Sequence, residues 1–269
     1  MTGDDSTGPA GNAQHEQDQL EGSRMPLRQH LEELRRCIFR SFILFVLLFI
    51  AGFIFRDWLI DVVMLPYNWA RERMIAMGDP DPGTLIIIKP IEGFVFVMKV
   101  AGSFAILGGA PYFLFQLWSF VGAGLLDRER KAIFKAFPFA VGLFVVGLLF
   151  GFTVLLQLAY PILLSFVSAD VATPDITLSE YFFSLRSLTL LMGFVFELPV
   201  VMWLVVRAGL IGYETLRSSR KMAFVGILVF AAIMTPPDVV TQVLVAIPMV
   251  LLYEVGLLLA RRADEQRSA

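Results

Sequence analysis

Six long apolar stretches, separated by short polar segments, constrain this chain more than any other feature of its sequence. They cover residues 37–55, 93–121, 136–157, 182–206, 222–234 and 239–260. A helix that crosses a bilayer needs about 17–25 mostly apolar residues, and all six stretches reach or approach that length. The chain is also 57% hydrophobic and 17% charged, whereas soluble domains are about 45–50% apolar and about 25% charged. We therefore predict an all-α, polytopic membrane protein with six transmembrane helices.

The distribution of lysine and arginine predicts how these helices are oriented. Basic residues concentrate before the first stretch, between the second and third, between the fourth and fifth, and after the sixth. Positive side chains favour the cytoplasmic side, and six crossings return the chain to the side on which it began. Both termini are therefore predicted to be cytoplasmic. Lys99 and Arg186 are exceptions, because they fall within or near predicted spans.

The remaining segments define the predicted domain boundaries. Residues 1–24 are rich in Gly, Asp, Gln, Ser and Thr, which predicts a disordered cytoplasmic tail without the features of a secretory signal. The membrane domain is predicted over residues 25–262, and 263–269 are predicted to form a short cytoplasmic tail. The fifth stretch, 222–234, is short for a span, so either the bilayer thins around it, other helices cover it, or its flanking polar residues reach the interface.

Composition excludes several classes of function. The formal net charge is −2, and the absence of a basic excess argues against nucleic acid as a partner. Cys37 is the single cysteine, and both histidines, His15 and His30, precede the first apolar stretch. Neither a thiolate metal cluster nor an intramembrane Ser–His or metal centre can be assembled from this set. We therefore predict that the chain is not an enzyme and has no metal and no cofactor.

The connection between the first two stretches, residues 56–92, is long and amphipathic. Its apolar residues recur at helical spacing opposite Asp57 and Asp61, at Trp58, Leu59, Val62 and Leu65. This spacing predicts a helix that lies along the outer membrane interface, with Trp58, Tyr67 and Trp69 as anchors.

Three carboxylates stand out by position. Glu33 lies on an amphipathic segment before the first stretch, and Glu129 lies in the basic segment after the second. A single carboxylate in either position is more often a solvated surface charge than a functional group. Glu197 lies well inside the fourth stretch, where a charged side chain costs about 2.5–3.5 kcal/mol. A functional role is therefore favoured for Glu197. For Gln242 and Glu254 in the last stretch, a structural bond between helices is favoured.

Four motifs, in this order along the chain, carry a resemblance to a known family. They are HLEELR at 30–35, FQLWSFV with GLLDRERK at 115–131, FELPV at 196–200 and TPPDVVTQVLVAIPM at 235–249. With them the chain resembles the TatC family, the polytopic receptor of the twin-arginine protein translocase, over about residues 26–262. The resemblance implies a glove-like fold of six helices in the bacterial cytoplasmic (inner) membrane. It also implies binding of Arg-Arg signal peptides at the cytoplasmic face, and export of folded proteins driven by the proton-motive force.

The resemblance also implies roles for individual residues. The signal-peptide surface would consist of Glu33, Leu34, Arg35, Phe120 and Glu129, in which two carboxylates pair bidentately with planar guanidinium groups. Glu197 would face the concave side of the fold, in contact with a hydrated path, an inserted signal peptide or a partner helix. Pro66, Asp238 and Gln242 match positions tied to transport or partner contact. The implied partners are the single-span proteins TatA and TatB, the signal peptides, the lipid bilayer and further copies of the chain in a multi-copy complex.

A second interpretation is a small proton-coupled secondary transporter in which Glu197 relays protons, since isolated intramembrane carboxylates serve that role in pumps and transporters. The sequence has no internal repeat of the kind that builds many transporters. The cytoplasmic carboxylates Glu33 and Glu129 also have no role in such a protein. The receptor interpretation is therefore preferred.

Overall fold

The fold is almost entirely helical in the part of the chain that a computed structural model describes. The described residues are 27–78, 81–123, 127–164, 176–235 and 238–268, with side chains described over 31–78, 81–120, 136–163, 176–235 and 238–265. The predicted tail at 1–24 lies outside these ranges. The α-helices in chain order are α1 (Leu27–Ile54), α2 (Arg56–Met77), α3 (Glu92–Ala123), α4 (Asp127–Phe150), α5 (Leu156–Leu164), α6 (Leu178–Phe196), α7 (Leu198–Arg207), α8 (Tyr213–Ser218), α9 (Arg220–Met234) and α10 (Val239–Ser268).

Five segments in the described ranges are long and apolar enough to cross a membrane. They are Leu31–Ile54, Glu92–Phe120, Ala136–Leu163, Leu178–Arg207 and Val239–Glu265. This result confirms the prediction of an all-α membrane protein with several spans. The fifth predicted stretch forms α9, which has 15 residues and is therefore about 22 Å long. That length is shorter than a hydrocarbon core of about 30 Å.

The helices pack closely where glycines remove the Cβ atom. A Cβ on Gly147 of α4 would lie 2.4 Å from the carbonyl oxygen of Met192, and one on Gly151 would lie 2.8 Å from that of Leu188. Gly151 begins a π-helical turn, Gly151–Leu155, that joins α4 to α5. Small residues let membrane helices approach closely, so these glycines set the distance between α4 and α6.

Helix α2 packs on the ends of the spans, and it differs in part from the predicted interfacial helix. Leu59 is buried, whereas the predicted anchors Trp58 and Trp69 are 62% and 37% exposed and so lie on the protein surface. Tyr67 was predicted to anchor the helix in the interface, and it is instead buried, with its hydroxyl donating to the carbonyl of Gly83 at 3.1 Å. The contacts of α2 are made with distant parts of the chain, which the periodicity of its own sequence does not encode.

The connection after α2 is held by polar contacts. The Arg71 guanidinium binds the Asp81 carboxylate through Nε and Nη2 at 2.6 and 2.5 Å. This hydrogen bonding, together with the backbone N–H of Gly83, lowers the pKa of Asp81 to about 2. Further along, the backbone N–H of Ile86 donates to Ile176, and that of Leu178 donates to Ile86, both at 3.0 Å. These bonds join the segments that lead into α3 and α6.

Helix α10 continues beyond the apolar stretch to Ser268. The predicted boundary between the membrane domain and a tail, after residue 262, therefore falls inside this helix. Ala260 and Ala263 are fully buried against Val206 of α7. Ala263, just beyond the predicted boundary, thus still packs on the helical bundle.

Candidate functional site

The candidate signal-peptide surface begins on the first turns of α1 that have described side chains. Glu33 and Leu34 are half-buried and Arg35 is exposed. The Oε2 atom of Glu33 is buried and has no hydrogen-bond partner within the described part of the chain. A buried polar atom without a partner is costly, and the described residues leave this oxygen unsatisfied.

Leu34 and Phe120, predicted to lie in one surface, come together in a groove between α1 and α3. The groove has a volume of about 430 Å³ and is mostly apolar, with Leu34, Cys37, Ser41, Phe113, Gln116 and Phe120 among its lining residues. Gln116 is almost buried, and its side-chain amide donates to the Tyr112 hydroxyl at 2.5 Å. Leu34 also borders a second shallow groove on α1, of about 410 Å³, which Arg35 lines.

Glu129, the second predicted carboxylate, belongs to α4, which begins at Asp127. Its side chain lies outside the described residues, so its place beside Glu33 stays a prediction. The backbone places Glu129 in the first turn of α4, after the connection that follows Phe120 and the end of α3.

Glu197 lies at the break between α6 and α7. Its backbone N–H donates to Phe194 at 3.1 Å, and its carbonyl accepts from Val201 at 3.0 Å. Pro199 has no N–H to continue the helical pattern, which explains why the helix is interrupted here. The side chain is 7% exposed, and both carboxylate oxygens are buried without a partner among the described residues. The Glu197 carboxyl group therefore lies inside the helical bundle without a hydrogen-bond donor among the described residues.

The polar residues at the start of α10 have partners within the fold. Asp238 accepts a hydrogen bond from the backbone N–H of Thr241 at 2.6 Å and another from its hydroxyl, so it caps the helix. The side-chain amide of Gln242 donates to the Leu228 carbonyl of α9 at 3.1 Å. Asp238 and Gln242 thus each stabilise the fold locally, whatever part they take in the transport or partner contact that the resemblance implies.

Pro66 is inside α2 and is fully buried. It lies apart from the groove near Glu33, since α2 packs against α5 and α6 through the cluster that contains Tyr67. The structure thus brings Leu34 and Phe120 together, whereas Pro66, Glu197 and Asp238 occupy other parts of the bundle.

Sequence reasoning missed two features. The groove between α1 and α3 is also lined by Phe45 and Phe113. In the sequence, nothing distinguishes these two residues from other apolar residues of a membrane span. Arg220 of α9 and Glu254 of α10 form an ion pair of 2.8 Å, which fits the predicted structural role of Glu254 but has no local sequence signal. Both features depend on which helices are neighbours.

Comparisons with known proteins agree on one family. The model described as Sec-independent protein translocase protein (TatC) matches residues 29–248. A TatC from Carboxydothermus hydrogenoformans is 34% identical over 90% of this chain and 95% of its own length. A TatC from Helicobacter pylori is 34% identical over 88% of each chain, and one from Aquifex aeolicus is 32% identical over 90% of this chain and 98% of its own.

A solved structure extends the similarity to the fold. The crystal structure of a twin arginine translocase receptor, TatC, superposes with a TM-score of 0.74 at 30% sequence identity. The match covers 87% of this chain and 99% of that one. The similarity therefore extends over nearly the whole of that receptor.

Proposed function

This chain belongs to the TatC family of Sec-independent protein translocase proteins, and from that premise we propose how it recognises its cargo and which partners it has. It is a subunit of the twin-arginine translocase with the fold of the receptor TatC. That role is one of transport rather than catalysis. The interpretation as a small proton-coupled transporter is not favoured, because the matching family model, relatives and solved structure are those of TatC.

We propose that Glu33 and Glu129 bind the two arginines of a signal peptide at the cytoplasmic face. The observation that carries this proposal is the buried Oε2 of Glu33, which has no partner in the described part of the chain. A guanidinium offers a planar pair of donors to a carboxylate, whereas lysine offers a compact charge. The site should therefore prefer Arg-Arg to Lys-Lys. Leu34, Arg35 and Phe120 would form the surface around the carboxylates, and the groove beside them supports apolar contact.

The topology and location are part of the same proposal. Six spans, with α9 as the short fifth, would return the chain to the side on which it began, so that both termini lie in the cytoplasm. The membrane would be the bacterial cytoplasmic membrane, and folded proteins would cross it at the expense of the proton-motive force. The concentration of basic residues near both termini supports this orientation.

A translocase subunit works in a complex with other subunits. We propose that these are TatA and TatB, together with further copies of this chain, and that they cover the short helix α9. Its exposed apolar residues include Met222, Val225 and Ile233, and a helix too short for the bilayer favours association with others. Asp238 and Gln242, at the start of α10, and Pro66, buried in the middle of α2, would support transport or partner contact.

Glu197 would contact a hydrated path, an inserted signal peptide or a partner helix within the membrane. Its two buried oxygens without a described partner support this role. We expect Glu197→Ala to impair transport or recruitment of TatA, measured by export of a folded reporter and by crosslinking. Unchanged transport and unchanged recruitment in that variant would contradict the proposal.

The decisive experiment is crosslinking of a twin-arginine signal peptide to the membrane-embedded chain, with an Arg-Arg and a Lys-Lys peptide compared. The Glu33→Gln and Glu129→Gln variants should each weaken Arg-Arg binding, and the pair should abolish the preference for Arg-Arg. Glu32→Gln is the matched control, because Glu32 is exposed on the neighbouring face of α1. Arg-Arg binding that survives the double change would reject the site and keep the family. No binding with TatB also supplied would reject the receptor role.

A further inference from the structure

Two cationic side chains within the membrane-spanning segments have no role in the proposed signal-peptide surface. Lys99 of α3 is exposed and Arg186 of α6 is half-buried. Neither forms an ion pair with any carboxylate in the described ranges. Ionisable residues inside a membrane are costly and generally mark a functional site, so the surroundings of these two cations are informative.

Helices α3 and α6 touch at the ends where both begin. The backbone N–H of Ser179 donates to Oε1 of Glu92 at 3.2 Å. One turn further in, the rings of Phe96 and Phe182 meet edge to face, with their centroids 5.3 Å apart. Because both helices start at this contact, they run side by side in the same direction there.

Helix geometry brings Lys99 and Arg186 to the same side of that contact. Lys99 is three residues after Phe96 and Arg186 is four residues after Phe182. At 3.6 residues per turn, these steps rotate the side chains by about −60° and about +40° from the ring contact. On two parallel helices that face each other, rotations of opposite sign point to the same side.

A buried hydroxyl lies one helical turn deeper than Lys99. Ser103 follows Lys99 by one turn on the same side of α3, is 7% exposed, and its Oγ has no partner in the described part of the chain. Lys99 is seven residues, or about 10 Å, from the start of α3. Cα–Cβ bonds tilt toward the start of a helix, so both cationic side chains extend back toward the membrane surface.

The positions deeper in the membrane on these faces are apolar. Ile106 lies two turns beyond Lys99 and is 38% exposed, and Leu190 lies one turn beyond Arg186. The two helices therefore present a positively charged end near the membrane surface and an apolar continuation below it. This pattern matches an anionic amphiphile rather than a soluble anion.

We propose that Lys99 and Arg186 bind the phosphate of an anionic phospholipid, whose acyl chain lies along α3 and α6 beside Ile106 and Leu190. The two cations attract the phosphate near the membrane surface. Basic pockets between membrane helices are known to take such headgroups. The lipid would hold the two helices together at the end where they touch.

The test is a titration of the purified, delipidated full-length chain with phosphatidylglycerol, followed by native mass spectrometry. Phosphatidylcholine and inorganic phosphate serve as the comparison ligands. Each surface cation contributes about a fivefold change in affinity, so Lys99→Gln with Arg186→Gln should weaken phosphatidylglycerol binding about 25-fold. Arg56→Gln with Arg73→Gln is the matched control, because both side chains are exposed cations of α2, and it should leave binding unchanged.

Charge-conserving variants guard against a folding defect. Lys99→Arg and Arg186→Lys should retain binding of phosphatidylglycerol within about threefold. Equal losses in the two double-glutamine variants would overturn the proposal, as would equal binding of phosphatidylcholine. Displacement of the lipid by inorganic phosphate at the same concentration would overturn the assignment to a lipid.

Discussion

Replacing Glu197 by leucine is expected to stabilise the protein while it removes a group proposed for transport. The carboxyl is 7% exposed, and neither oxygen has a hydrogen-bond partner among the described residues. A buried polar group without a partner costs about 1–3 kcal/mol, and a charged one at the centre of a span costs about 2.5–3.5 kcal/mol. Leucine is apolar and carries no such penalty.

The expected gain in the free energy of unfolding for Glu197→Leu is about 2 kcal/mol, near the middle of the range for an unsatisfied polar group. For a chain of this size each kcal/mol shifts Tm by about 2–4 °C, so Tm should rise by about 4–8 °C. Glu197→Gln is the isosteric control. It keeps polar atoms at the same buried place, so its Tm should remain close to that of the parent chain.

Thermal unfolding in one detergent, followed by intrinsic fluorescence, measures both variants. Export of a folded reporter in cells measures transport, which should fall in the leucine variant despite its higher Tm. A lower Tm for Glu197→Leu would refute the reasoning, because it would mean that the carboxyl makes favourable contacts in the native bundle. A raised Tm with intact export would support the stability argument but would contradict the proposed role of Glu197 in transport.

Two further perturbations follow from the packing and from the outer connection. Gly147→Ala places a methyl group 2.4 Å from the Met192 carbonyl oxygen. In a denaturation assay it should lower the free energy of unfolding by about 1–3 kcal/mol. Gly142→Ala is the control, because its Cβ would lie in open space, and it should be neutral or stabilising. The Arg71–Asp81 pair lowers the pKa of Asp81 from 3.8 to about 2, so its stabilising contribution is fully present above pH 4 and is lost as pH falls through about 2. The protection of the backbone amides around Asp81, relative to their intrinsic exchange rate at each pH, should therefore fall over that interval. Arg71→Gln should remove this fall, and the same fall in the variant would contradict the role of the ion pair.

The sequence predicted the helices well because a span carries a strong and local signal. The first apolar stretch, 37–55, corresponds to the candidate span Leu31–Ile54, and the short stretch 222–234 corresponds to the short helix α9. The burial of Tyr67 was missed, because it depends on how α2 packs against distant segments. A helix's own periodicity shows that it has an apolar face but not which element covers it.

The candidate site was accessible to sequence reasoning only in part. The motifs identified Leu34 and Phe120 as neighbours in one surface, and both line the groove between α1 and α3. The groove itself was not predicted, because its walls are apolar residues such as Phe45 and Phe113 that any span could contain. Their shared location follows from the pairing of two helices that are separated by 37 residues in the sequence, since α1 ends at Ile54 and α3 begins at Glu92.

The polar residues singled out by sequence divide into two groups according to whether the fold satisfies them. Asp238 caps α10 and Gln242 joins α10 to α9, so the chain itself accounts for their hydrogen bonds. Glu33 and Glu197 keep buried oxygens for which the described residues offer no donor. A buried polar atom is retained at a cost in stability unless something satisfies it. We therefore expect a donor from another molecule at Glu33 and at Glu197, as proposed above, and these two carboxylates are where binding experiments should begin.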